Sequence, residues 1–220
     1  MTELPGFHAA AGGFEGHTCE DAPVTSNREL RPILRAQRAA IEMEHDERSV
    51  RLADAVMSHP IIAAMPVGSW VTCYSSYRDE PPTRVLLQRL CDAGYEVLVP
   101  AVVGEHLHWH DVTGEVDDPR AWTLDSYGIP RPTTPEIATS PSELLALGVR
   151  VIITPGLGME RSGARIGQGG GYYDRFYEHI PRFAAGGPFR LGITHFGGLL
   201  PDGTIELKPH DQLVDDVIEG

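Results

Sequence analysis

The sequence predicts an α/β protein, a mostly parallel sheet flanked by helices. Three observations carry this prediction. Apolar, β-branched runs alternate with segments of helical spacing. Residues 69–102 read as strand, helix, strand with short connections, the signature of a parallel βαβ unit. The most apolar run, VRVIITPG (149–156), has the continuous hydrophobicity of a strand covered on both faces.

Taken in order, residues 1–26 are rich in Gly, Ala and Pro without periodicity, and a flexible N-terminal extension is expected there. Residues 27–220 then form a single α/β domain. Helical spacing starts near residue 28, with Leu30, Ile33, Leu34 and Ile41 close to one face, and continues through Leu52, Ala53, Val56 and Met57. Pro32 suits a first turn, so the first helix is expected to start close to Arg31. SWVTCY (69–74) is a buried strand, TRVLLQRLCDAG (83–94) a helix stopped by Gly94, and YEVLVPAV (95–102) a second strand. HLHWHDV (106–112) alternates strictly and predicts a strand near an edge. Its His106, His108 and His110 share one side. Side chains in a row on one strand splay apart and rarely complete a metal shell, so an exposed strand face is expected. Residues 113–143 carry several prolines and read as a long surface excursion. After VRVIITPG come a glycine-rich turn, a helix from about Gly171 to Ile180, strand RLGIT (190–194) and a final strand LVDDVI (213–218).

Bulk properties narrow the function. The hydrophobic fraction of 41% excludes a disordered chain, and no run approaches the roughly 20 apolar residues that cross a bilayer. A net charge of −13 disfavours nonspecific nucleic-acid binding and requires any anion site to be built locally. The start, MTELPGFHAAAGGFEGHTCED, does not have the pattern of a secretory signal. Cys19, Cys73 and Cys91 are scattered, with no CxxC, which fits a reducing cytosol. The expectation is a cytoplasmic monomer acting on a small molecule.

The stretch RIGQGGGYYDR (165–175) concentrates the chemistry. Three glycines lead directly into a helical segment, where backbone amides approach an anion closely, and Arg165 flanks them. A phosphate cradle is therefore expected in preference to a slack linker. Neither GxxxxGK[ST] nor GxGxxG is present, so glycine spacing does not name the phosphate compound. Asp79 and Glu80 end a strand in YSSYRDEPPT (74–83). They are placed equally well for a ligand at the carboxyl end of a parallel sheet or for the dipole of the following helix. Asp174 and Asp211 are carboxylates of the kind that hold Mg²⁺ beside phosphates. Arg28, Arg31, Arg35 and Arg38 cluster in an otherwise acidic chain, either as a solvated helix face or as phosphate contacts.

These pieces together resemble the 5-formyltetrahydrofolate cyclo-ligase family. The resemblance spans about residues 27–218. It rests on PGLGMERSGARIGQGGGYYDR (155–175), supported by the Leu30–Arg31 pair, Glu80 with Thr83, GIPRP (128–132) and PHDQLVD (209–215). It implies a fold like that of sugar-phosphate isomerases and CoA transferases. It also implies ATP- and Mg²⁺-dependent closure of 5-formyltetrahydrofolate to 5,10-methenyltetrahydrofolate, with release of ADP and phosphate. Glu80, Arg165 and Tyr172 are then the expected catalytic residues. ATP would lie on Arg28, Arg31, Arg165, Gly167, Gln168, Gly169, Gly170, Gly171, Tyr172 and Tyr173. The reduced folate would meet Ser75, Glu80, Gln168 and Tyr172, and Asp174 and Asp211 would hold Mg²⁺. Two departures stand out: Asn27 where the family usually has lysine, and Pro82 where an aspartate is common. They motivate the alternative of a non-catalytic paralogue that binds folate or nucleotide.

Overall fold

The computed structural model describes residues 26–112 and 116–220, so the extension expected at 1–26 lies, Ser26 apart, outside the described residues. The main sheet has seven strands. From one edge to the other they are β12 (Asp216–Glu219), β10 (Phe189–Thr194), β7 (Val151–Pro155), β1 (Trp70–Thr72), β2 (Glu96–Val103), β3 (His106–Asp111) and β6 (Glu136–Ala138). The first five run parallel; β3 and β6 extend the sheet antiparallel. The most apolar run of the sequence, β7, lies between β10 and β1, in the interior as its composition requires. A small three-stranded sheet, β11 (Leu199–Leu200), β8 (Gly158–Glu160) and β9 (Arg165–Ile166), and a ribbon of β4 (Trp122–Leu124) and β5 (Pro130–Pro132) complete the β structure among the described residues.

Alternation along the strands divides the core between two faces. Val71, Val97, Val151 and Ile153 point to one side, where α2 (His45–Met57) and α4 (Arg84–Asp92) bring Leu52, Val56, Leu86 and Leu90. Leu98 and Ile152 point to the other and meet Leu144 of α5 (Pro141–Ala146) and Phe176 and Tyr177 of α6 (Tyr172–Glu178). Each such aliphatic side chain, fully removed from water, contributes about 1.5–3 kcal/mol. A short α3 (Pro60–Ala63) caps the first face, contributing the buried Ile62. The expected stop after α4 is present, with Gly94 at φ +79°.

The first helix stands apart. α1 (Asn27–Ala39) packs Leu30 and Leu34 against Leu157, Ala164, Ile166 and Ile205, a satellite core over the three-stranded sheet. It starts at Asn27, four residues before the expected Arg31. Ser26 Oγ accepts from the Glu29 amide, and the Glu29 carboxylate accepts from the Ser26 amide at 3.0 Å, a reciprocal capping box. Pro32 therefore falls inside the helix, where it leaves the Arg28 carbonyl without its usual partner. Ile33 is 50% exposed: the true inner face is 30, 34, 38, four residues apart.

Two further expectations are corrected. The histidine side of β3 is open at His106 but covered at His108 and His110. Within the segment read as a surface excursion, β6 folds back to pair with β3, covering that edge. His110 is 3% exposed, with its Nδ1 2.7 Å from the Thr134 carbonyl, and His108 lies 3.0 Å from Glu136. The last strand begins at Asp216 instead of 213: Val214 bonds outside the main sheet, and Asp215 already reaches Arg190 of β10 at the strand's start. The Val214 amide donates to Gly163 O and the Asp215 carboxylate accepts from the Arg190 amide.

Candidate active site

At the carboxyl ends of β1 and β7, where a parallel sheet offers its strand termini to ligands, opens a cavity of about 1270 Å³. One wall is the glycine loop, another the turn that carries Glu80, and α1 lies across both. The volume exceeds the roughly 300–1,000 Å³ of an ordinary single-ligand pocket, so there is room for two reactants.

The glycine loop leaves β9 at Ile166 and enters α6 through Gly171. Gly169 (φ +105°) and Gly171 (φ +67°) lie in the left-handed region that glycine adopts freely. Gly170 does not; a Cβ there would come within 2.7 Å of the Tyr172 ring. The loop's carbonyls are taken by arginines. Arg31 Nε donates to Gly167 O at 3.0 Å, Arg35 Nη2 to Gln168 O at 3.2 Å, and Arg175 Nη1 to Gly170 O at 2.9 Å. The amides of 167–171, by contrast, meet no acceptor among the described residues. Carbonyls turned away and amides left open make a surface that favours an anion.

Arg165 lies beneath this loop with a side chain 5% exposed. Its Nη2 is 2.6 Å from Asp174 Oδ1, its guanidinium lies over the Tyr173 ring, and its Nε has no acceptor among the described residues. The same Asp174 oxygen accepts from the Gln212 amide at 3.4 Å, which brings the neighbouring Asp211 alongside. Asp211 holds its own turn through the Lys208 amide, at 2.8 Å. Both carboxylates, partly exposed, line the cavity wall beside the glycine loop. A hard cation that accepts carboxylate, phosphate and water oxygens fits such a donor set.

On the opposite wall, Ser75 and Glu80 line the cavity. Glu80 Oε2 accepts from the Tyr77 amide at 3.1 Å, closing the turn. Burial pushes its carboxyl above the ordinary range; the Tyr77 amide and Arg38 pull it down, and Asp79 pushes it up. The phenols of Tyr74 and Tyr173 are also pushed up, first by burial and further by the nearby Glu80, and the Tyr173 hydroxyl has no partner among the described residues. Tyr172 donates to the Tyr127 hydroxyl at 3.0 Å.

A model of the 5-formyltetrahydrofolate cyclo-ligase family matches residues 23–220. The chain belongs to that family. Among cyclo-ligases it is 26% identical to the Mycolicibacterium smegmatis protein, over 84% of this chain and 89% of that one. It is 25% identical to the mouse protein, over 90% and 96%. Its fold is that of the 5,10-methenyltetrahydrofolate synthetase from Aquifex aeolicus, with a TM-score of 0.61, 21% identity, and 88% of this chain and 89% of that one covered. The Mycoplasma pneumoniae synthetase gives a TM-score of 0.58 at 16% identity, with 88% and 98% covered.

Of the cyclo-ligase residues named from sequence, Arg31, Ser75, Glu80, Arg165, Gly167, Gln168, Gly169, Gly170, Gly171, Tyr172, Tyr173, Asp174 and Asp211 all line the one cavity. Arg28 is the exception: it is exposed and faces away, because the capping box starts the helix with Asn27 turned inward instead. Asn27 is no empty substitute for lysine, since its side-chain amide donates to Glu206 O at 2.7 Å and accepts from Glu206 N at 3.1 Å. Arg35 and Arg38 join Arg31 on the cavity side. Their spacing, 31, 35, 38, is that of one helical face and was a usable signal. Tyr127 had none, since it reaches Tyr172 from the excursion across 45 residues of sequence.

Proposed function

We propose that this protein closes 5-formyltetrahydrofolate to 5,10-methenyltetrahydrofolate at the expense of ATP, with Mg²⁺, releasing ADP and phosphate. The observation that carries the reading is the pairing, in one cavity, of a loop with open amides and a desolvated carboxylate on the facing wall. Ring closure by N10 must expel the formyl oxygen, a poor leaving group until it has received a phosphoryl group. The protein's work is accordingly to position and to neutralise charge.

The open amides of 167–171 bind the phosphate chain, and the free Nε–H of Arg165 adds a charged donor at its base. Asp174 and Asp211 would hold Mg²⁺, which neutralises charge on the phosphate oxygens when bound. Glu80 would meet the pterin, whose amino and ring N–H groups can donate to a carboxylate that the Tyr77 amide engages at one oxygen. The Tyr173 hydroxyl, buried without a partner, is a donor available at the cavity floor.

The test is to mix purified protein with 5-formyltetrahydrofolate, ATP and Mg²⁺ and to follow the absorbance of the methenyl product. ATP-dependent product growth that stops on chelation of Mg²⁺ is expected. Folate binding by calorimetry without turnover would assign the non-catalytic alternative instead.

A further inference from the structure

One helix touches both walls of the cavity. Arg31 and Arg35 of α1 hold the carbonyls of the glycine loop. Two turns from Arg31, Arg38 reaches the other side. Its Nε donates to Asp79 Oδ2 at 3.0 Å and its Nη2 to Asp79 Oδ1 at 2.9 Å, a two-pronged contact from a guanidinium only 6% exposed. Asp79 immediately precedes Glu80. Within the turn, Arg78 adopts φ +56°, a conformation uncommon for a side-chain-bearing residue, so its surroundings must hold it there. The base of this loop is closed by Ser76 and Thr83, which bond each other, and Ser49 of α2 donates to Pro82 O at 3.4 Å. At residues 77–80 themselves, among the described residues, the hydrogen-bonded tie to another element is Arg38.

We propose that Arg38 and Asp79 are a positioning pair, fixing the Glu80 turn to the helix that carries the glycine loop and so setting the folate at its working distance from the nucleotide. This rests on the cyclo-ligase reading above. A pair that only stabilised the fold would weaken every ligand alike. A positioning pair acts on the folate side, because Arg31 and Arg35 still hold the glycine loop when Arg38 is changed.

The pair also sets the charge around Glu80. Arg38 faces it from α1, Asp79 from within the turn, Tyr74 from the end of β1 and Tyr173 from α6, with Arg48 of α2 behind Asp79 and Tyr74. Arg38 favours the ionised carboxylate and Asp79 opposes it. Removing each charge must therefore move Glu80 in opposite directions.

Arg38→Gln, Arg38→Lys and Asp79→Asn are compared with the wild type for folate KM, ADP affinity by calorimetry, and the pH profile of kcat/KM. In Arg38→Gln the folate KM is expected to rise roughly ten- to a hundredfold, the range for losing a charge-assisted contact, with ADP affinity held within about threefold. The acidic limb should move to higher pH in Arg38→Gln, to lower pH in Asp79→Asn, and stay near the wild type in Arg38→Lys. If the two charge-removing variants shift in the same direction, or the folate KM stays unchanged while the wild type turns over, the positioning role is overturned and the cyclo-ligase reading stands. A wild type without turnover overturns that reading and the pair's role with it. Should Arg38→Gln fail to fold, Asp79→Asn decides: a limb that stays in place or rises overturns the proposal.

Discussion

Glu80 is a carboxyl held out of water, and its pKa in the fold is raised, first by burial. A raised folded-state value means that the fold retains the proton more tightly than the unfolded chain does. The group therefore costs stability as pH rises through the carboxylate range, and costs nothing below it. Glu80→Gln is expected to melt higher than the wild type at neutral pH, with the gain vanishing below the ordinary value of 4.5, as scanning calorimetry across pH would show. The same variant is expected to lose roughly ten- to a hundredfold in kcat/KM for the folate, since a neutral amide replaces a charged acceptor. The three glycines are also separable by residue. At Gly170 the obstacle is the Tyr172 ring, 2.7 Å from an added Cβ. Gly170→Val is thus expected to displace Tyr172 from Tyr127 and to suppress turnover while the melting temperature moves little, checked by steady-state kinetics beside a thermal melt. The motif at 165–175 stood out in the sequence, and the structure sets it along the cavity wall. That Arg165 and Asp174 would grip each other was not legible there, because they meet only after the loop doubles back on itself.

Among the elements, α1 shows both what local pattern reveals and where it misleads. The arginine spacing and the Leu30–Leu34 repeat were visible and mark two adjoining sides of the helix, whereas Ile33, read onto the apolar side, is exposed. The start was misjudged because Pro32 was weighed above Ser26 and Glu29. Two reciprocal hydrogen bonds at a helix end outweigh one bond missing in its interior. Asn27 belongs to the same lesson: read as a missing lysine, it is a stitch between α1 and residue 206. Asn27→Ala is expected to lower stability by about 1–2 kcal/mol for its two contacts, measured by denaturant unfolding. β6 was the element least accessible from sequence. Three residues embedded in a proline-rich segment carry no periodicity, and their partner β3 is distant in the chain.

At the scale of the molecule, the five parallel strands and their helices were readable because each βαβ step is local and strongly apolar. The placement of a cavity between distant loops was not, since it depends on where non-neighbouring turns converge. The protein as a whole is acidic, at −13, yet the walls that would receive phosphates carry Arg31, Arg35, Arg165 and Arg175. Four arginines in one cavity thus oppose locally the negative charge of the whole. The satellite core under α1 has a consequence for motion. Leu30 and Leu34 rest on a few residues of a minor sheet, separate from the apolar interior that locks β7 and β10. Detaching this helix would leave the rest of the protein folded, so its amides should exchange with deuterated solvent well before those of β7, and more slowly once both reactants or their analogues are bound. The helix that ties the two cavity walls together would then be the first part of the protein to open.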